Sequence, residues 1–163
     1  MNPSDPAPRA APKRLNLALL AAGIVALCLR LLPEWRSNPD LSHGFFMPVV
    51  FLLLLHEGRS RGTARYLPSN AATTAGFIAA LVVGLLSLCA AGLYAAAVGW
   101  SHALVSLTLT LSLVAVLGAA LLVYAGESVR WIGFNWPALV AIGLWLLCAP
   151  IPPGTYMRLT LTL

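Results

Sequence analysis

The chain alternates long apolar runs with short polar breaks. The first run covers residues 15–32 and follows a proline-rich polar tail, 1–14, that ends in Arg9, Lys13 and Arg14. A basic flank before an apolar run also describes a signal peptide. The exit, Arg30-Leu31-Leu32-Pro33-Glu34-Trp35, offers no small-x-small cleavage site, so a retained helix is expected. After a polar loop, 33–44, comes a second and shorter run, 45–55. Between Asp40 and Glu57 there are 16 uncharged residues (His counted neutral), about 24 Å as helix, enough for a thin bilayer or a re-entrant segment. A third run, 71–98, is long enough to tilt. A turn at Gly99-Trp100-Ser101-His102 leads to a fourth, 103–124, and a loop with Glu127 and Arg130 to a fifth, 132–149. The proline turn 150–154 follows, and residues 156–163 open a sixth.

The pattern predicts an all-α, polytopic transmembrane bundle of about five spans plus the start of a sixth. The tail 1–14 is expected to be disordered and cytoplasmic. Residues 15–163 form one transmembrane region with no soluble domain.

Charge chooses between the two readings of the second run. If it spans, Arg59, Arg61 and Arg65 lie on the same side as Arg9, Lys13 and Arg14; if it is re-entrant, they lie opposite. Basic residues collect in cytoplasmic loops, so spanning is favoured. The inner side then carries Arg9, Lys13, Arg14, Arg59, Arg61, Arg65 and Arg130, and the outer side Arg30, Arg36 and Arg158. Ser42-His43-Gly44 and the 150–154 turn share the outer face.

Composition agrees. Hydrophobic residues make up 60% of the 163 and charged residues 9%, against roughly 45–50% and about 25% in soluble domains. That excludes a soluble globular enzyme and a disordered chain. The net charge of +5 is read as basic residues that collect in cytoplasmic loops and orient the protein, not as a sign of a nucleic-acid partner. No basic run interleaves with aromatics as a nucleic-acid groove requires, so no nucleic-acid partner is expected.

Candidate chemistry is sparse. Cys28, Cys89 and Cys148 are far apart, inside apolar runs, where thiols serve as packing atoms; Cys89 is expected to be buried in the third span. His43 and His56 flank the second helix about 20 Å apart, too far to share a metal. His102, Ser106 and Thr110 fall on one helix face, fit for packing or for lining a polar path. Small residues recur at four-residue steps in the third run, Gly76, Ala80, Gly84 and again Ser87, Ala91, Ala95, Gly99, a spacing that lets helices approach closely. All five acidic residues lie outside the predicted helices, leaving no intramembrane carboxylate for a proton relay. Near His43, Ser42 is placed to cap the second helix and Pro48 falls in its first turn. No cofactor or metal site is spelled out.

Two segments together are recognisable. Asn38-Pro39-Asp40-Leu41-Ser42-His43-Gly44-Phe45-Phe46-Met47-Pro48, with Trp35 ahead of it, resembles the first signature of the exosortase/archaeosortase family, W…(Y/L)-S-H-G-(F/Y)-x-x-P. Gly126 through Arg130, Trp136-Pro137 and Ala149-Pro150-Ile151-Pro152 look like that family's later Pro-x-Pro signature, which closes a transmembrane helix. The resemblance covers residues 30–157 and singles out Ser42, His43, Gly44, Pro48, Pro150 and Pro152 at the outer face.

The resemblance implies a membrane-embedded cysteine protease/transpeptidase of the bacterial inner membrane. Its expected partners, besides the lipid bilayer, are exported proteins with C-terminal sorting tails: a Pro-Glu-Pro-like motif, an apolar helix and a basic end. The family's catalytic cysteine lies in an A-C-S-G-like motif on a later helix, followed by an arginine and a His/Arg partner. No residue here matches these, so no catalytic residue is carried over. The expected protein is the N-terminal part of such an enzyme. A non-catalytic membrane subunit, a scaffold or transport module, is the alternative, motivated by the His102–Ser106–Thr110 stripe and the small-residue faces.

Overall fold

The computed structural model describes residues 14–63 and 65–150. Five α-helices follow in order: α1 (Arg14–Ser37), α2 (Met47–Ser60), α3 (Ala71–Val98), α4 (Ala103–Tyr124) and α5 (Trp136–Gly143). A 3-10 helix, Pro39–Phe46, leads into α2, and another, Leu144–Cys148, continues α5. The described residues contain no strand, only an isolated parallel bridge between Leu67 and Gly126. Four units are long and apolar enough to cross a membrane: Arg14–Ser37, Pro39–Ser60, Ala71–Val98 and Ala103–Tyr124. The tail before Arg14, Pro152 and the sixth apolar run lie outside the described residues.

The predicted loop 33–44 is almost entirely helical. α1 runs through Pro33 to Ser37. A proline inside a helix removes one hydrogen bond and tends to end it. Here the last turn is held from outside: Leu31 and Trp35, on either side of Pro33, are both buried. Ser42 is not the cap of the second helix. α2 starts from Phe46 with no side-chain cap; Asn38 caps the 3-10 helix ahead of it, its Oδ1 accepting from Asp40 N at 3.0 Å, and Ser42 sits exposed within that 3-10 helix. Pro48 is in the first turn of α2, as expected, where its missing N–H breaks no intrahelical bond. The 3-10 turn and α2 together reach 22 residues, which removes the shortfall of the second apolar run.

The fifth run is helical only from Trp136. Eight α-helical and five 3-10 residues amount to about 22 Å. Asn135 starts α5 by accepting from Ala138 N at 3.2 Å.

α3 and α4 form a hairpin whose turn passes through Gly99 at φ +87°, where a side chain would be strained. Gly84, Ser87, Ala91 and Ala95 are the buried residues of α3, so one expected small-residue stripe is the face turned to α4. Ser112 of α4 donates to the carbonyl of Gly84 at 2.8 Å. A Cβ on Gly84 would come within 3.1 Å of Val116. Close approach, not apolar bulk, joins these helices, as suits a medium where lipid tails are as apolar as leucine. The core proper is built from α1, α2, α4, α5 and their 3-10 extensions, and no residue of α3 belongs to it.

α2 and α5 lie side by side and antiparallel. At one end Asn135 Nδ2 donates to Gly58 O at 2.7 Å. At the other His43 meets Leu147. The two connecting loops at the Gly58 end are tied together: Leu67 N donates to Ala125 O (2.8 Å), Glu127 N to Leu67 O (3.0 Å) and Phe134 N to Arg65 O (2.8 Å). Arg59 lies over the Trp131 ring and Arg130 over Tyr66.

Candidate functional site at the His43 end

The segments that resemble two family signatures touch. The C-terminal carbonyls of any helix lack intrahelical donors. In the 3-10 helix Leu144–Cys148 the last two are met by side chains from the first signature. His43 Nε2 lies 3.0 Å from Leu147 O, and Trp35 Nε1 donates to Cys148 O at 3.0 Å. The chain then leaves through Ala149 in extended conformation, φ −90° and ψ 142°, the conformation that a following proline favours. Pro150 is half-buried at this exit.

Gly44 is what brings the two elements this close. A Cβ there would collide with Nε1, Cε2 and Cδ1 of the Trp35 ring. Phe45 meets the same indole edge-on, with ring centroids 5.8 Å apart, an arrangement that aromatic quadrupoles favour. Trp35 is 3% exposed, so its ring acts as the wedge between α1, the Ser42-His43-Gly44 turn and the end of α5.

The arrangement limits the chemistry. A carbonyl only accepts, so His43 must carry a proton on Nε2. That nitrogen is therefore unavailable to take a proton from Ser42 or any other nucleophile. His43 positions the Leu147 carbonyl and the exit segment.

The cysteines divide differently from expectation. Cys148 is buried, with Sγ donating to Leu144 O at 3.8 Å, and Cys28 is half-buried. Cys89 is exposed on the outer side of α3, not buried. The hairpin uses the opposite stripe, Gly84, Ser87, Ala91 and Ala95, for packing. The His102–Ser106–Thr110 stripe separates too. Ser106 and Thr110 are fully buried, and Thr110 donates to Ser106 O at 2.8 Å. His102 is exposed and caps α4, its Nδ1 accepting from Leu104 N at 3.2 Å. It belongs to the turn rather than to a polar path. His56 is exposed towards the far end of α2. Among the described residues no group of three or more His, Cys, Asp or Glu could hold a metal ion.

Two features escaped the sequence reading. Asn135 serves both as the cap of α5 and as the donor to Gly58 O. The N-x-x-A pattern of a cap is visible in sequence; the partner 77 residues away is not. Arg30 has its Nε and Nη2 shut away from solvent without a hydrogen-bond partner, although its sequence position suggests only a polar helix end.

No family model, no curated protein and no solved structure matches the chain. The fold and site therefore define a class and no more: among the described residues, an all-helical chain with four helices long and apolar enough to span a membrane. Its distinguishing feature is a clamp of Trp35 and His43 on the end of its last described helix.

Proposed function

We propose that these residues form the N-terminal part of an exosortase-like membrane cysteine protease/transpeptidase, acting on the C-terminal sorting tails of exported proteins. The observation that carries the reading is the meeting of its two signatures. Trp35, His43 and Gly44 close directly on Leu147 and Cys148, just before the Pro-Ile-Pro turn. In this reading the clamp shapes the outer mouth of a site whose reacting groups lie on later helices. A thiolate near that mouth needs a cation to lower its pKa and donors to hold the oxyanion.

The topology proposed with it has five crossings and a cytoplasmic N-terminus, in a bacterial inner membrane. α5 extends from the level of Gly58 to that of His43, the same interval that α2 covers, which supports a crossing despite its short helix. Among the described residues Arg14, Arg59, Arg61, Arg65 and Arg130 cluster at the Gly58 end, against Arg30 and Arg36 towards the other. The positive-inside rule makes the first end cytoplasmic.

The test is processing in cells. The coding sequence beyond Leu163 is expected to contain an A-C-S-G-like motif, then an arginine and a later His or Arg. Expression of the full-length protein with a reporter bearing a Pro-Glu-Pro-like tail should release the tail, and His43→Ala should reduce the release. Absence of the downstream motif sinks the proposal. A reporter fused within residues 61–70 that reads as external overturns the topology.

A further inference from the structure

Arg30 stands in an unusual place. It lines a cleft of about 370 Å³ between α1 and the α3–α4 hairpin. The walls are Gly23, Ala26 and Leu27 of α1 and Leu109, Leu113 and Val116 of α4. Leu88 and Trp100 flank it and are 51% and 63% exposed, so the cleft opens on the outer surface of the bundle. The Nε and Nη2 atoms of Arg30 are inaccessible to solvent and have no hydrogen-bond partner among the described residues. Of the other polar side chains in the lining, Ser112 already donates to Gly84 O, and Trp100 offers only an N–H donor, which cannot pair with a cation. Among the described residues no acidic side chain lines the cleft, and Glu34, one turn further along α1, forms no ion pair with Arg30.

An unpaired cation among apolar side chains is costly, and removing its counter-charge leaves that cost uncompensated. The Nε and Nη2 atoms are sealed from any ligand as well as from solvent, so a ligand meets the half-buried Arg30 at its remaining nitrogen, Nη1, and an anion is the group that suits it. The shape of the cleft says more. Its charge and its tryptophan are at one end, while the wall from Arg30 back to Gly23 runs about 10 Å along α1 with only small and apolar residues. Tryptophan belongs at headgroup level. A charged end beside an aromatic, continued by an apolar channel, is the complement of a phospholipid. We infer that the α1/α3–α4 cleft binds one phospholipid, its phosphodiester on Nη1 of Arg30 beside Trp100 and an acyl chain along Gly23, Ala26 and Val116. The site is independent of the clamp at His43.

The full-length protein, purified in nonionic detergent and stripped of lipid, tests this. It is titrated separately with dimyristoylphosphatidylglycerol, dimyristoylglycerol and inorganic phosphate, and bound lipid is read by native mass spectrometry alongside the melting temperature. Phosphatidylglycerol should be retained and should raise the melting temperature; the other two should do neither. Arg30→Gln should weaken phosphatidylglycerol binding about tenfold or more, the loss expected for a charged hydrogen bond. Arg36→Gln should leave it unchanged. Gly23→Leu tests the acyl channel with Arg30 intact. A Cβ at Gly23 meets only Leu113, at 3.7 Å, so the longer side chain has room to enter the cleft. It should also weaken binding, and it serves as the deciding variant if Arg30→Gln does not fold. Undiminished binding in a folded variant of either kind overturns the assignment. So does failure of phosphatidylglycerol to bind, or equal stabilisation by inorganic phosphate or dimyristoylglycerol.

Discussion

The indole N–H of Trp35 donates to the backbone carbonyl of Cys148 at 3.0 Å, across 113 residues of sequence. The bond joins the end of the first long helix to the end of the last described one. Without it, Cys148 O would be a helix-terminal acceptor left unanswered in a buried setting. Trp35→Phe keeps the ring and removes the donor, so it should cost about 1–2 kcal/mol. Trp35→Ala also leaves a cavity and should cost about 3–5 kcal/mol. Reversible unfolding in mixed detergent micelles measures both. A Phe variant as stable as the parent would show that the ring alone holds the joint.

Gly44 faces that same ring too closely for any Cβ. Gly44→Ala should destabilise by about 1–3 kcal/mol through overpacking. In a Trp35→Leu background the obstacle shrinks and most of that cost should disappear. A double-mutant cycle reads the coupling directly, and additive effects would mean that Gly44 matters for some other reason.

Asn135 does two jobs that substitutions can separate. Asn135→Ser retains a capping oxygen for α5 and loses the Nδ2 bond to Gly58 O. Asn135→Ala loses both. The Ala variant should be the less stable of the two by about 1 kcal/mol, the usual worth of an N-cap. Both should fall below the parent in the same unfolding assay. The Gly58 end should also show faster amide exchange at Phe134 and Leu67, whose N–H groups donate across the two loops.

The α3–α4 hairpin should respond more to shape than to hydrogen bonding. Ser112→Ala removes the bond to Gly84 O and should cost only about 0.6 kcal/mol, typical of such bonds between membrane helices. Gly84→Leu introduces a side chain where Val116 and Ala115 already crowd a single Cβ, so it should cost more. Stability of the two variants, measured side by side, gives the order. A larger loss from Ser112→Ala would reverse the account of this interface.

Much of the protein is determined by the order of its residues alone. Three of the apolar runs, the first, third and fourth, became membrane-length helices because about twenty apolar residues in a helix satisfy their own backbone wherever they lie; the second reached that length only with the 3-10 helix before it. The stripe Gly84, Ser87, Ala91 and Ala95 was legible because helix periodicity puts these positions on one face. What the sequence could not settle is where that periodicity meets something distant. Residues 33–44 read as a loop from Pro33, Asn38, Pro39 and their polar neighbours. They are helical because Trp35 finds Cys148 and His43 finds Leu147, partners more than a hundred residues away. Cys89 and Cys148 sit in equally apolar stretches, yet only packing decides that one faces outward and the other is sealed. Arg30 likewise reads as one more outer-side charge until the hairpin closes beside it. Local composition sets which segments are helices; the tertiary contacts decide which side chains are exposed, paired or left needing a ligand, since those depend on what stands opposite.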